Sequence, residues 1–317
     1  MVNRKGIFVV VACLAALMVT RAALAANPTP VQAQTCDPAG AAIPYGQSSH
    51  EIDWQGTTRH YRLYIPASYD PAQPVPLVLS LHGFASNPGQ QEMFSQWNMV
   101  ADVEGFIVAY PQGTGFPLRW NSGLFTEGTD GVDDVAFLSD LIDQLVDTYC
   151  LDGTRVYING LSNGAGMSHR FACAMADRVA AFGGVAGAYN TFEGGCEPSR
   201  PVPAMLFHGT EDPIVPYGGN EGQGFSPIAD FAADWAERNG CDPAAVVIDD
   251  LEGAVSGVRY TGCDEDANVV FYTIDGGGHT WPGGEAIPAF IAGTTSDDIS
   301  ASETMWAFFE QHALDEE

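Results

Sequence analysis

Three short segments carry the residue types of nucleophilic catalysis. Gly160-Leu161-Ser162-Asn163-Gly164 fits G-x-S-x-G, in which a serine sits on a tight strand-to-helix turn. Glycines flank such a serine because side chains two residues to either side would collide across the turn. His208-Gly209-Thr210-Glu211-Asp212-Pro213 brings two carboxylates into one loop. Asp212 is the stronger candidate, because Pro213 biases the residue before it away from helix and keeps it in the turn. Glu211 is the near rival. Gly276-Gly277-Gly278-His279-Thr280-Trp281-Pro282-Gly283-Gly284 places a histidine in a glycine-rich loop, free to reach a neighbouring strand end. A plain Gly/Ser loop and an ordinary Asx turn are the competing structural readings of the first two segments.

The order Ser162, Asp212, His279 is that of a nucleophile, an acid and a base on an α/β-hydrolase scaffold. His279 would take the serine proton and pass it to the leaving group. Asp212 would fix the imidazole tautomer and stabilise its cation. The other histidines fit the base role less well. His50 and His60 precede the sheet, His82 follows its first buried strand, and His169 lies on the helix after the serine. His208 immediately precedes the acid loop, and His312 is near the chain end. Oxyanion donors should be backbone N–H groups: Asn163, at a helix start, and Phe84, in His82-Gly83-Phe84-Ala85 after the first buried strand.

Positioning these loops needs parallel strands ending at one edge. Tyr61–Ile65 alternates like an antiparallel strand. Leu77–Leu81 reads as an apolar run of the kind a buried parallel strand requires, and Phe106–Tyr110, Val156–Asn159, Phe182–Ala186, Ala204–Phe207 and Val269–Ile274 complete the expected strand set. Helical spacing covers 90–103, 135–149, 228–238 and 300–312. Asp133 or Asp134 can cap the second of these. The pattern predicts a single-domain α/β fold with a mostly parallel sheet flanked by helices. The segment from Gly187 to Pro203 is too short for a lid domain, so an open cleft is expected. Trp120 and Trp281 are candidates for substrate-stacking walls, with Phe116 and Phe125 near the first.

The chain resembles the secreted polyhydroxybutyrate depolymerase and feruloyl esterase family of α/β-hydrolases. The resemblance rests on Leu81-His82-Gly83, Tyr110-Pro111-Gln112-Gly113, Asp133-Asp134-Val135, Gly160–Gly164, His208–Asp212 and Gly277-Gly278-His279-Thr280-Trp281-Pro282-Gly283. These stretches run from about residue 60 to 310. The resemblance implies ester hydrolysis through an acyl-serine without cofactor, and it supports the three catalytic roles above; no cysteine sits in a CxxC pair or at zinc spacing, so a metal site is the weaker reading. Ala165 departs from the glycine expected there in many relatives, a small change. Release of hydroxycinnamoyl or acetyl groups from plant cell-wall polysaccharide is the favoured reading. Polyhydroxyalkanoate or related polyester depolymerisation is the alternative, weakened by the lack of a binding module behind a Ser/Thr/Pro-rich linker. A serine peptidase and a non-catalytic secreted binding protein are more distant readings.

Composition bounds the rest. The chain has 317 residues, 46% hydrophobic and 16% charged, with 12 Lys+Arg against 40 Asp+Glu. It is too apolar for a disordered chain and too polar for a multi-span membrane protein. A net charge of −28 disfavours nucleic acid and anionic lipid as partners; an ester substrate, bulky or polymeric, is the expected partner. Arg4 and Lys5, the apolar run Ile7–Val19 and Ala23-Leu24-Ala25 read as a secretory signal over 1–25. A flexible leader over 26–44 and a catalytic domain over 45–317 follow. Beyond the leader no lysine remains, which fits an acidic exported protein or a saline habitat. The six cysteines Cys36, Cys150, Cys173, Cys196, Cys241 and Cys263 suggest disulfides, among 15 possible pairings. Sequence-local pairing would join Cys173 to Cys196 and Cys241 to Cys263, leaving Cys36 for Cys150.

Overall fold

The computed structural model describes residues 36, 43–123, 131–190, 195–249 and 251–315. The expected signal peptide, most of the leader and Phe125 lie outside the described residues. The chain enters through a ribbon of β1 (Gly46–Trp54) and β2 (Thr57–Ile65), paired antiparallel. It continues through β3 (Val75–Leu81), α1 (Pro88–Ser95), α2 (Trp97–Glu104), β4 (Ile107–Pro111), α3 (Asp134–Thr148), β5 (Leu151–Leu161) and α4 (Asn163–Ala174). Then come β6 (Ala181–Val185), β7 (Ala204–Gly209), α5 (Ile228–Arg238), β8 (Val246–Val247), β9 (Val255–Tyr260), β10 (Val269–Ile274), α6 (Ala289–Ala292) and α7 (Ala301–Phe309).

All ten strands form one sheet in the order β1-β2-β4-β3-β5-β6-β7-β10-β9-β8. The six strands from β4 to β10 run parallel, and the outer strands at both edges are antiparallel. Every residue of β4, β6 and β7 is buried, which is why their sequences show no polar alternation. On one face Val135, Leu138, Leu141, Ile142 and Leu145 of α3 pack with Phe171 of α4 and Trp235 of α5. On the other face Trp97 of α2 stacks on Phe309 of α7 at 6.2 Å, and Phe106 stacks on Trp306 at 4.1 Å. Among the described residues no helix is long and apolar enough to cross a membrane.

Three elements differ from the sequence expectation. The helix expected over 90–103 is two helices, broken where Gln96 takes φ 53°. Asn87 caps α1 by accepting from Gln90 N–H, and Gly105 (φ 82°) ends α2. No glycine or proline marks position 96, so the break is invisible locally. β1 and the β8–β9 hairpin were also missed. β1 and β8 are edge strands of half-buried or exposed residues, and β9, paired between β10 and β8, buries only Val255 and Gly257, so none of the three shows an apolar run. Asp133 does cap α3, through the Ala136 N–H. The disulfides join Cys36–Cys150, Cys173–Cys196 and Cys241–Cys263.

Candidate active site

Parallel strands deliver their C-terminal ends to one edge, so the loops after β3, β5, β7 and β10 converge there. Ser162 follows β5 directly and opens α4, with φ 57° and ψ −117°. No helix or strand tolerates that backbone, and a non-glycine residue holds it only when its surroundings fix it. Ser162 N–H donates to Val185 O, and its carbonyl accepts from Gly166 and Ala188 N–H. The flanking glycines are obligatory by contact. A Cβ on Gly164 would lie 2.2 Å from Leu81 O, and one on Gly160 would lie 2.4 Å from the Gly164 carbonyl carbon.

The loop after β7 presents Asp212, which is buried. Its Oδ1 accepts from Ile214 N–H and Val215 N–H, both at 2.8 Å. Its Oδ2 accepts from His279 Nδ1 at 2.7 Å. Burial pushes the Asp212 carboxyl up, but hydrogen bonds and charge from His208 and His279 outweigh it and hold it well below the usual carboxylate range. Glu211, the rival acid, is exposed. The His279 loop is stitched to a returning strap: Gly278 N–H donates to Thr294 O at 2.8 Å, and His279 N–H donates to Ala292 O. With Nδ1 donating to Asp212, Nε2 of His279 is the nitrogen left to accept a proton.

Ser162 and His279 line one cavity of about 560 Å³. Gly83, Phe84 and Ala85 border it from the loop after β3, with Ile214 and Val215 from the acid loop. Asn163 N–H heads α4, where the first helical N–H groups have no intrahelical acceptor. Ser162 therefore shares its cavity with the 83–85 segment expected to carry one oxyanion donor and directly precedes Asn163, expected to carry the other.

Trp120 and Trp281 require correction. Neither borders this cavity, and both are fully buried. Trp281 packs in the core and donates its indole N–H to Ser302 Oγ of α7. Trp120 lies beneath the site. Its indole N–H donates to His82 O at 3.0 Å, and its backbone N–H donates to Asn163 Oδ1 at 2.7 Å. Asn163 Nδ2 returns bonds to Trp120 O and Ser122 Oγ. Chain position near the catalytic loops suggested stacking walls, but two large indoles gain more from burial with a satisfied N–H than from exposure. Phe116 points away into solvent, 98% exposed.

The cavity walls that sequence reasoning missed are Phe94, Phe225, Ile287, Pro288, Ile291 and Ala292. The last four sit on the strap between β10 and α7, which lines the same cavity as Ser162. Only the tertiary fold brings this strap to the cavity of Ser162. His82 is a second omission. Gly113 N–H donates to its Nε2, its Nδ1 donates to Gly83 O, and burial lowers its pKa to about 4. It is a buried strut, held neutral by burial, of the loop after β3. Among the described residues one group of three potential metal ligands is close together, His169, Cys173 and Cys196. Its two sulfurs are bonded to each other, so they are not thiolate ligands.

Residues 59–194 match the family model described as Esterase PHB depolymerase. Feruloyl esterase B of Piromyces equi is 33% identical over 226 residues, 68% of this chain and 41% of that protein. The putative esterase NocK of Nocardia uniformis subsp. tsuyamanensis is 30% identical over 284 residues, 81% of this chain and 80% of that protein. The chain spans less than half the length of the first two curated relatives it matches. The solved acetyl xylan esterase from Aspergillus awamori superposes with a TM-score of 0.60 at 15% identity, over 83% of this chain and 99% of that one, a likeness of fold. With the sheet order, the matched segment and a relative aligned along most of both chains, the chain belongs to the Esterase PHB depolymerase family of α/β-hydrolase esterases.

Proposed function

We propose that the chain is an exported serine ester hydrolase working through an acyl-enzyme on Ser162. The observation that carries this reading is the buried 2.7 Å bond from His279 to Asp212, beside a strained serine on the same cavity. Ser162 Oγ attacks the ester carbonyl while His279 Nε2 takes its proton and returns it to the leaving alcohol. Asp212 holds the tautomer and stabilises the imidazolium. The N–H groups of Asn163 and Phe84 receive the oxyanion, each worth about 3 kcal/mol in the transition state. Water then attacks the acyl-serine by the same route. An A-x-A cleavage pattern at Ala23-Leu24-Ala25 and three disulfides support export.

The acyl half of the substrate meets Phe94, Val215, Phe225, Ile287 and Ile291. A flat or branched apolar group fits such walls. Relatives named feruloyl esterase and acetylxylan esterase support a hydroxycinnamoyl or acetyl ester of plant cell-wall polysaccharide. A second reading, cleavage of a polyhydroxyalkanoate or related polyester, is supported by the family description. It is also supported by the exposed apolar rim formed by Phe84, Ile214 and Ile291. A parallel product assay tests both. Wild type and Ser162→Ala are given methyl ferulate, feruloylated arabinoxylan and amorphous polyhydroxybutyrate. Ferulate from the first two, absent with Ser162→Ala, is expected. Soluble hydroxybutyrate without ferulate overturns the polysaccharide reading. Failure of a fluorophosphonate to label Ser162 overturns the enzyme reading altogether.

A further inference from the structure

We propose that His208 is a positioning residue for the catalytic acid, its Nε2–H held between Asp212 Oδ2 and Val215 O. The proposal rests on the triad reading above. His208 lies in β7, four residues before Asp212, opposite Thr273 of β10. Its side chain and that of Asp212 are both 0% exposed. Nε2 lies 2.8 Å from Val215 O. A carbonyl only accepts, so this nitrogen carries the proton. The same nitrogen lies 3.3 Å from Asp212 Oδ2, within reach of a shared, three-centred bond.

The Asp212 carboxylate is therefore held on all sides. Oδ1 takes the N–H groups of Ile214 and Val215, and Oδ2 takes His279 Nδ1 and His208 Nε2. A carboxylate offers about four lone-pair directions, and four donors face it here. Rotation of the carboxyl would break several of these bonds at once. His208 also fixes Val215, and Val215 is a wall of the cavity. One imidazole thus ties the angle of the acid to the shape of the acyl site. His208 does not itself line that cavity, and its Nε2 already serves a backbone carbonyl. It is therefore unavailable as the base.

The titratable groups around it come from two loops. Asp212 and Tyr217 lie on the loop after β7, with the Tyr217 ring 6.1 Å away and its hydroxyl paired with Thr273 of β10. His279 lies on the loop after β10 and reaches it through Asp212. Loss of the His208 donor leaves Asp212 easier to protonate and concentrates its charge on His279. Both effects move the acid limb of the pH–rate profile upward.

The test compares His208→Leu and His208→Gln with wild type and Ser162→Ala on a soluble aryl ester. Gln places an amide nitrogen near the Nε2 position; Leu cannot donate. His208→Leu is expected to lower kcat by ~30-fold or more with KM within ~3-fold, since the loss concerns the base and not substrate contact. Its acid limb moves to higher pH. His208→Gln restores most of kcat and returns the limb. Wild-type limbs in both variants, or equal kcat losses without movement of the limb, overturn the proposal. Should His208→Leu not fold, 15N imidazole shifts in wild type decide: an unprotonated His208 Nε2 overturns it, and a protonated one upholds it. Full activity in Ser162→Ala would sink the triad reading and this inference together. An inactive Ser162→Ala beside an unaffected His208→Leu sinks this inference alone.

Discussion

Trp120 shows how a residue can serve a site that it never touches. Its indole N–H holds the His82 carbonyl, and Asn163 grips its backbone from the opposite side. The peptide after His82 and the side chain of Asn163 are thereby braced against one residue. Trp120→Phe keeps most of the packing but leaves the buried His82 carbonyl without that donor. The expected cost is about 1–3 kcal/mol of stability. A drop in kcat of ~10-fold with little change in KM should accompany it, because an oxyanion donor that is less rigid loses transition-state binding. Urea unfolding and steady-state kinetics on one preparation check both. A rise in KM without loss of kcat would mean that Trp120 contacts substrate after all. The identities of Ser162, Asp212 and His279 as candidates were legible in three short segments. The role of Trp120 was not, because burial is a property of the whole chain.

Two elements control the site, the turn at Ser162 and the strap between β10 and α7. In the turn, the carbonyl of Leu81 occupies the space a Gly164 side chain would need. Gly164→Ala therefore forces β3 and α4 apart. The expected result is a loss of several kcal/mol, of the order seen for core overpacking or more, read as insoluble expression or a collapsed unfolding midpoint. The strap makes a different prediction. Ile287 and Ile291 border the cavity, and Ile291 is 55% exposed, so their loss should cost little stability. Ile287→Ala with Ile291→Ala is expected to raise KM for bulky acyl esters by ~10-fold and to leave acetyl esters nearly unchanged. Equal effects on both ester classes would remove the strap from acyl recognition. Strand and helix runs announced most elements. The strap did not announce itself, since Gly283–Thr294 carries no periodic pattern and its place at the Ser162 cavity depends on Trp281 and Thr294 anchoring it.

At the scale of the molecule, buried histidines set the response to acid. Burial lowers His82 to about 4 and His169 to about 3. Their unfolded values lie near 6.5. Between pH 6.5 and about 4 the unfolded chain binds protons that the folded chain refuses, so stability rises with pH across that window. It is lost again as pH falls from 6.5. Asp212 acts lower: its depressed carboxyl contributes stability above its unfolded value, near 4, and loses it below. Unfolding free energies from urea titrations are expected to be flat from pH 7 to 8 and to fall continuously from 6.5 to 4, by a few kcal/mol in all, with the midpoint falling alongside. A midpoint unchanged down to pH 5 would mean that water or a moving loop solvates these rings.

The sequence by itself determined the strand and helix alternation, the parallel sheet that alternation requires, and the order of the candidate residues Ser162, Asp212 and His279. These follow from local chemistry: apolar runs, glycines beside a serine, and a proline after an aspartate. Its reading of the disulfides rested on separation alone and left 15 pairings formally open. Only the tertiary structure decided which aromatics are core and which are wall, that the strap shares the cavity of Ser162, and that His208 faces Asp212. Those outcomes depend on contacts between segments distant in the chain. Such contacts are set by the competition of all side chains for the same buried volume, which no single stretch of sequence contains.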